Sequence, residues 1–113
     1  MTFSIFGTNA NGLSGKSDSL INSVKVFQPR CITIQETKLR SKSFKIPGYQ
    51  VFLKNRPGMD GGLLTAVAEN FDPVLVSSPE TEILVVQTKV GEEDIRIING
   101  YGPSGRRRYP INL

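Results

Sequence analysis

The sequence predicts an α/β (α+β) fold, in which one largely antiparallel sheet begins with a β-α-β unit and carries one main helix. Three observations support this prediction. One segment has apolar residues at helical spacing, and it lies between two short apolar stretches that are typical of strands. The rest of the chain alternates apolar and polar residues between turns, which is typical of antiparallel strands.

The first predicted strand and the helix occupy the first quarter of the chain. Thr2–Asn9 is an apolar, strand-like stretch that ends in Asn-Gly turn chemistry. Ser17 or Asp18 can cap a helix that runs to about Gln28, and Pro29 prevents its continuation. The apolar residues at helical spacing are Leu20, Ile21, Val24 and Phe27.

The second predicted strand decides where the functional residues lie. Cys31–Gln35 is almost entirely apolar, as expected of a strand buried on both faces. A crossover through one helix places this strand parallel to the first, so the C-terminal ends of both strands lie at the same edge of the sheet. Open α/β sheets collect ligands at that edge. We therefore expect Asn9 and Glu36 to come together there.

Four further strands follow from alternation and turn residues. In the third of them, Ile83, Val85 and Gln87 share one face, whereas Glu82, Leu84, Val86 and Thr88 share the other. The four strands are Tyr49–Lys54, Leu63–Ala68, Glu82–Val90 and Asp94–Gly100, with turns at Gly58–Gly62 and Gly91–Asp94.

The composition indicates one small globular domain, residues 1–113. No stretch reaches the roughly 18 apolar residues that a membrane span needs. Cys31 is the only cysteine in the sequence and cannot form an internal disulfide, which favours an intracellular, reducing location, with the nucleus as one option. The net charge of +4 and the pI of about 9.5 suit a polyanionic partner.

Polar residues at the shared strand edge have two interpretations. A carboxylate such as Glu36 at the end of an apolar strand is costly unless it is solvated, hydrogen-bonded or bound to a metal, and Mg²⁺ prefers oxygen ligands. The amides of Asn9 and Asn11 can both donate and accept hydrogen bonds. Taken alone, each residue also fits an ordinary role, a solvated glutamate or a turn after a strand.

Three segments together resemble a known family. In order and spacing, Thr8–Leu13 (Thr-Asn-Ala-Asn-Gly-Leu), Gln35–Lys38 (Gln-Glu-Thr-Lys) and Asn99–Pro103 (Asn-Gly-Tyr-Gly-Pro) resemble the first three motifs of the endonuclease/exonuclease/phosphatase superfamily. The resemblance points to the apurinic/apyrimidinic endonuclease branch and to LINE-type retrotransposon endonucleases. It covers residues 2–103, followed by a basic tail at 104–113, and implies the N-terminal half of a four-layer α-β-β-α sandwich.

The resemblance also implies residue roles in a metal-dependent DNA endonuclease. Glu36 and Asn11 would bind Mg²⁺ (or Mn²⁺), Asn9 would orient the catalytic groups, and Tyr101 would hydrogen-bond the scissile phosphate. The basic side chains expected to contact nucleic acid are those of Lys38, Arg40 and Lys42, although they could equally keep a loop solvated.

The later motifs of the family, a Gly-Asp-Phe-Asn strand end and a C-terminal Ser-Asp-His, are absent, and the sequence contains no histidine. We therefore expect an incomplete endonuclease domain that is inactive or weakly active as this chain alone. One face of its sheet would lack a cover, which predicts self-association or a second chain. Two alternatives remain: a catalytically dead nucleic-acid-binding or assembly module, and a fragment of a phosphoinositide or other phosphoester phosphatase. The residues of the first two motifs, Asn-x-Asn-Gly-Leu and Gln-Glu-Thr-Lys, favour a nucleic-acid substrate over a lipid.

Overall fold

The chain begins with the parallel β-α-β unit that the sequence predicts. The computed structural model describes residues 3–41, 43–55, 61–76 and 83–100. Strand β1 lies parallel to β2, with Asn9 beside Gln35 at the last step of the pairing. A short 3-10 turn leads from β1 into helix α1. The bounds are Ile5–Asn9 for β1, Ser14–Lys16 for the turn, Ser17–Phe27 for α1 and Cys31–Gln35 for β2.

Helix α1 ends where the sequence places its stop. Gln28 adopts a left-handed conformation with φ 47°, and its backbone N–H donates to the carbonyl oxygen of Val24. Pro29 follows and cannot continue the helix. Leu20 and Val24 are buried against the sheet, whereas Phe27 in the last turn is exposed. The predicted apolar stripe therefore contacts the sheet through Leu20 and Val24, whereas Phe27 at its end does not.

Five more strands complete the described part of the chain, all of them in antiparallel pairs. The first sheet has the order β1-β2-β4-β3, and the second has the order β5-β6-β7. These strands are β3 (Tyr49–Lys54), β4 (Leu63–Ala68), β5 (Val74–Val76), β6 (Ile83–Val90) and β7 (Glu93–Gly100). The predicted mixed α/β class with one main helix is confirmed.

The strands are divided between two sheets, where the sequence predicted one. A 3-10 turn at Glu69–Phe71, followed by left-handed Asp72 with φ 49°, ends the first sheet and redirects the chain. Among the described strands, those after this turn pair only with one another, and their alternating apolar residues give the second sheet one buried face. Two such faces bury each other when the sheets stack.

The core between the two sheets covers the face that we expected to be open. Cys31 and Val67 of the first sheet pack with Val86 and Ile97 of the second. Phe71, in the turn between the sheets, belongs to the same cluster and meets Phe3 edge-on with ring centroids 5.6 Å apart. Within the described residues, the inner face of the first sheet is therefore packed against the second sheet, not exposed.

A second core lies between the first sheet and helix α1. Strand β4 is buried along most of its length because it is a central strand with one core on each side. The layers thus run helix, sheet, sheet. The buried members of this second core are Ala10, Leu13, Leu20, Val24, Ile32, Ile34, Ile46, Leu64 and Ala66.

The outer face of the second sheet remains apolar and accessible. Val76, Val85 and Ile98 lie side by side across its three strands. Ile98 is 45% exposed, and Val74 at the sheet edge is 56% exposed. Of the helices described, none is long and apolar enough to cross a membrane.

Candidate functional site

The loop after β1 runs alongside the end of β2 and continues the parallel pairing beyond the strands. The backbone N–H of Ala10 donates to the carbonyl oxygen of Gln35 at 2.9 Å, and that of Gly12 donates to the carbonyl oxygen of Glu36 at 2.9 Å. The backbone N–H of the next residue, Leu13, donates to the carbonyl oxygen of Thr37 at 2.8 Å. The structure therefore brings Asn9, Asn11 and Glu36 to one edge of the sheet, as the crossover argument predicts.

Three residues at this edge have left-handed backbone conformations. The φ angles are 47° for Asn11, 55° for Glu36 and 51° for Lys38. For a residue with a Cβ atom this conformation costs about 1–2 kcal/mol, and asparagine tolerates it best. Such strain persists where the surrounding structure holds it, often at functional sites. All three residues belong to the motifs that the sequence analysis singled out.

A glycine pair at the entry to β4 holds the end of the second motif. The N–H of Lys38 donates to the carbonyl oxygen of Gly61 at 2.8 Å, and that of Thr37 donates to Gly62 at 3.3 Å. Gly62 has φ +95°, and a Cβ atom there would lie 2.4 Å from Oγ1 of Thr37. The glycine is therefore required both by its backbone conformation and by the close approach of Thr37.

Side-chain hydrogen bonds order the loop after β1. The N–H of Asn11 donates to Oδ1 of Asn9 at 3.1 Å, which is the geometry of an Asx turn. Nζ of Lys38 donates to Oδ1 of Asn11 at 2.9 Å. Nζ of Lys16 donates to the carbonyl oxygen of Ala10. Two ammonium groups thus contact consecutive residues of this loop.

Asn99, the first residue of the third motif, is a buried polar residue with no role in the sequence-based prediction. Its side chain is 2% exposed and lies between the two sheets. Nδ2 lies 2.8 Å from the carbonyl oxygen of Leu64, 3.2 Å from Oγ1 of Thr65 and 3.3 Å from the carbonyl oxygen of Ile34. Oδ1 accepts a hydrogen bond from Nε2 of Gln35 at 2.6 Å. This network links the end of β7 to the end of β2, next to the candidate metal ligand Glu36.

A signal for Asn99 was present in the sequence. Strand alternation puts Ile95, Ile97 and Asn99 on one face of β7, so an asparagine on an apolar face needed buried hydrogen-bond partners. No comparable signal marked the contact between Lys38 and Asn11, because it joins two loops that are distant in sequence.

The structure describes only some of the residues predicted to bind phosphate or nucleic acid. Tyr101 and Lys42 lie outside the described residues, so their predicted roles stay predictions. Arg40 is exposed, whereas Lys38 is half-buried at the strand edge. The arginine run at 106–108 also lies outside the described part of the chain.

The chemistry of the donor set decides which cation could bind. Within the described residues no group of three or more His, Cys, Asp or Glu side chains comes together. The oxygen atoms at this edge that could bind a cation are those of the Glu36 carboxylate and of the Asn9 and Asn11 amides. An all-oxygen set with one carboxylate fits a hard cation that keeps most of its water, as Mg²⁺ does. Both amide oxygens, however, already accept a hydrogen bond: that of Asn9 from the N–H of Asn11, and that of Asn11 from Nζ of Lys38.

Solved structures with the same fold include AP endonucleases and the endonuclease domain of a retrotransposon. The AP endonuclease LMAP from Leishmania major has a TM-score of 0.72 at 15% identity, over 88% of this chain and 40% of its own. An AP endonuclease from Archaeoglobus fulgidus has a TM-score of 0.63 at 25% identity, over 92% of this chain and 42% of its own. The endonuclease domain of the non-LTR retrotransposon TRAS1 has a TM-score of 0.68 at 18% identity, over 93% of this chain and 48% of its own.

These matches confirm the resemblance at the level of the fold. No protein-family model matches the sequence. The chain spans less than half the length of each of the three solved chains, 40% to 48%. With its first two motifs at the predicted sheet edge, the described part of this chain has the fold of these nucleases.

Proposed function

We propose that this chain is part of a DNA endonuclease domain that depends on Mg²⁺ or Mn²⁺. One observation carries the proposal: the loop after β1 bonds directly to the backbone of Glu36, so that the carboxylate and the amides of Asn9 and Asn11 share one edge. The likeness to AP endonucleases and to a retrotransposon endonuclease domain supports phosphodiester cleavage. The basic side chains of Lys38 and Arg40 on the following loop suit a DNA backbone.

Each residue has a stated task in this proposal. Glu36 would hold the cation, which when bound supplies positive charge to a phosphate oxygen. Asn9 holds the loop through its Asx turn and keeps it beside the carboxylate. Tyr101 follows β7 directly, and its phenol is proposed to donate a hydrogen bond to the phosphate as charge develops.

A metal titration tests the cation site. One carboxylate and few other protein ligands should bind Mg²⁺ weakly, at about the millimolar level, because affinity follows ligand charge and rigidity. In a Mg²⁺ titration followed by NMR, we expect the backbone signal of Glu36 to move first. Glu36→Gln should abolish the response, and the matched control Glu69→Gln, at an exposed carboxylate in the turn after β4, should keep it. A response centred on the acidic turn at Glu92–Asp94 would contradict the proposal.

Activity of the chain alone should be low. We propose that the 113-residue chain nicks plasmid and abasic-site DNA poorly, because the sequence lacks histidine and the later motifs of the family. Robust cleavage that survives repurification and disappears in Glu36→Ala would show that the residues present suffice.

A second function, an assembly module, is favoured by one observation. The outer face of the second sheet presents Val76, Val85 and Ile98 in one row, with Ile98 45% exposed. This face, not the inner face of the first sheet, is where we propose a second copy of the chain to bind. Sedimentation at low micromolar concentration should show a dimer that Ile98→Lys converts to a monomer. A compact wild-type monomer would contradict this function.

A further inference from the structure

The contact between Lys38 and Asn11 gives the candidate site a positive charge of its own. Nζ of Lys38 lies 2.9 Å from Oδ1 of Asn11, the same oxygen that the family resemblance would give to a metal. The two residues come from different loops, 27 positions apart in sequence. The contact is therefore made by the fold and not by local sequence.

Two hydrogen bonds of its own hold this lysine in place, one from its side chain to Asn11 and one from its backbone. Its backbone N–H donates to Gly61 at 2.8 Å, and its backbone is left-handed with φ 51°. Asn11 is itself fixed, because its N–H donates to Oδ1 of Asn9 at 3.1 Å. Lysine normally loses considerable side-chain freedom when it is ordered. Here the hydrogen-bonded backbone of Lys38 restrains the base of its side chain, and Asn11, held in its Asx turn, restrains the ammonium.

A metal ion on the same oxygen would conflict with this arrangement. A Mg²⁺ bound to Oδ1 at about 2.1 Å would lie within about 5 Å of the ammonium if Lys38 stayed in place. Two cations that close repel each other, and a neutral amide oxygen does little to offset this. A lysine ammonium has three donors, so one bond to Asn11 leaves it able to donate to a phosphate oxygen as well.

We propose that Asn11 is a positioning residue for Lys38, and that the ammonium of Lys38 is a fixed cation that binds a phosphate oxygen of the nucleic-acid backbone. In this assignment the metal is held through Glu36 and not through Asn11, which differs from the role that the sequence resemblance implies. The inference rests on the proposed function, since it states which group of that site binds the phosphate.

The first test concerns the metal. Asn11→Gly removes the amide and suits the left-handed backbone at this position, where φ is 47°. We expect this variant to keep the Mg²⁺ response of Glu36 in an NMR titration. Lys38→Met should tighten Mg²⁺ binding severalfold, because it removes a like charge from the same edge of the sheet. Loss of the Glu36 response in Asn11→Gly, to the same extent as in Glu36→Gln, would make Asn11 a metal ligand and overturn the proposal.

The second test concerns phosphate and uses a double-mutant cycle. The probe is a 12-base-pair DNA duplex whose affinity is measured at several salt concentrations. Lys38→Met should weaken binding and reduce the slope of log affinity against log salt by about one. Asn11→Gly should weaken binding severalfold with little change in slope, because the lysine keeps its charge but loses its position. The double variant should bind no worse than Lys38→Met alone.

A control variant and the contrary outcomes complete the design. Lys25→Met neutralises an exposed lysine in the last turn of α1, at the end of the helix far from the C-terminal strand edge, and should leave duplex affinity unchanged. Independent, additive effects of Asn11→Gly and Lys38→Met would overturn the positioning role while leaving the proposed function intact. A wild-type chain that bound neither Mg²⁺ nor the duplex would refute the proposed function, and with it the phosphate role.

Discussion

Replacing Asn99 by alanine should destabilise the fold more than any substitution on its surface. The amide of Asn99 contacts four partners that are distant in sequence, on strands β2 and β4. Alanine removes all four contacts and leaves the two carbonyl oxygens, of Ile34 and Leu64, without this donor. Nothing replaces the amide there, because Asn99 is 2% exposed and lies between the sheets.

The magnitude follows from the number of bonds. A buried hydrogen bond contributes about 0.5–1.5 kcal/mol net, and a buried polar group left unpaired costs about 1–3 kcal/mol. For four contacts around one amide, we expect a loss of about 3 kcal/mol in the free energy of unfolding. Small domains have about 5–15 kcal/mol in total. The variant should therefore lose a large share of the stability of the fold.

Urea unfolding followed by circular dichroism measures this loss. The midpoint should fall while the slope of free energy against urea concentration stays constant, because the surface exposed on unfolding is nearly unchanged. Asn22→Ala, at an exposed asparagine on α1, is the matched control and should change the free energy by no more than about 0.5 kcal/mol. A loss below about 1 kcal/mol for Asn99→Ala would mean that the amide network does not bind the two sheets together.

Three further predictions follow from particular residues. At Glu36, with φ 55°, Glu36→Gly should be more stable than Glu36→Ala by about 1 kcal/mol; urea unfolding checks this, and the opposite order, normal for a helix, would contradict the left-handed backbone. Gly62→Ala should lower the free energy of unfolding by about 2–4 kcal/mol, because its Cβ would lie 2.4 Å from Oγ1 of Thr37. Adding Thr37→Ala should recover only the part of this loss that comes from the clash, not the part that comes from the left-handed backbone. Burial raises the pKa of the Cys31 thiol to about 12, from 9.0. The unfolded chain then loses that proton first, so stability should fall as the pH rises from about 9 towards 12; Cys31→Ala should flatten this fall, and an unchanged profile would contradict it.

The sequence by itself determined the local elements and the edge at which the functional residues lie. Strands β2, β3 and β4 have the predicted bounds, because apolar runs between turn residues depend on neighbours along the chain. The parallel pairing of β1 with β2 followed from the handedness of a helical crossover. That rule alone was enough to bring Asn9 and Glu36 together.

Only the tertiary structure decided how the strands divide and which side chains meet. Alternation shows that a strand has one buried face, but it does not show which strand or sheet covers that face. The split into two sheets depends on the turn at Glu69–Phe71 and on the short strand β5, whose three residues are too few to alternate recognisably.

The same limit applies to the site. The hydrogen bond that Lys38 donates to Asn11 joins loops 27 residues apart, and the one that Gln35 donates to Asn99 joins the two sheets across 64 residues. Motif spacing identifies such residues one at a time, because it records their order along the chain. Which of them share a hydrogen bond depends on backbone conformations, such as the left-handed turn at Lys38, that only the packed fold imposes.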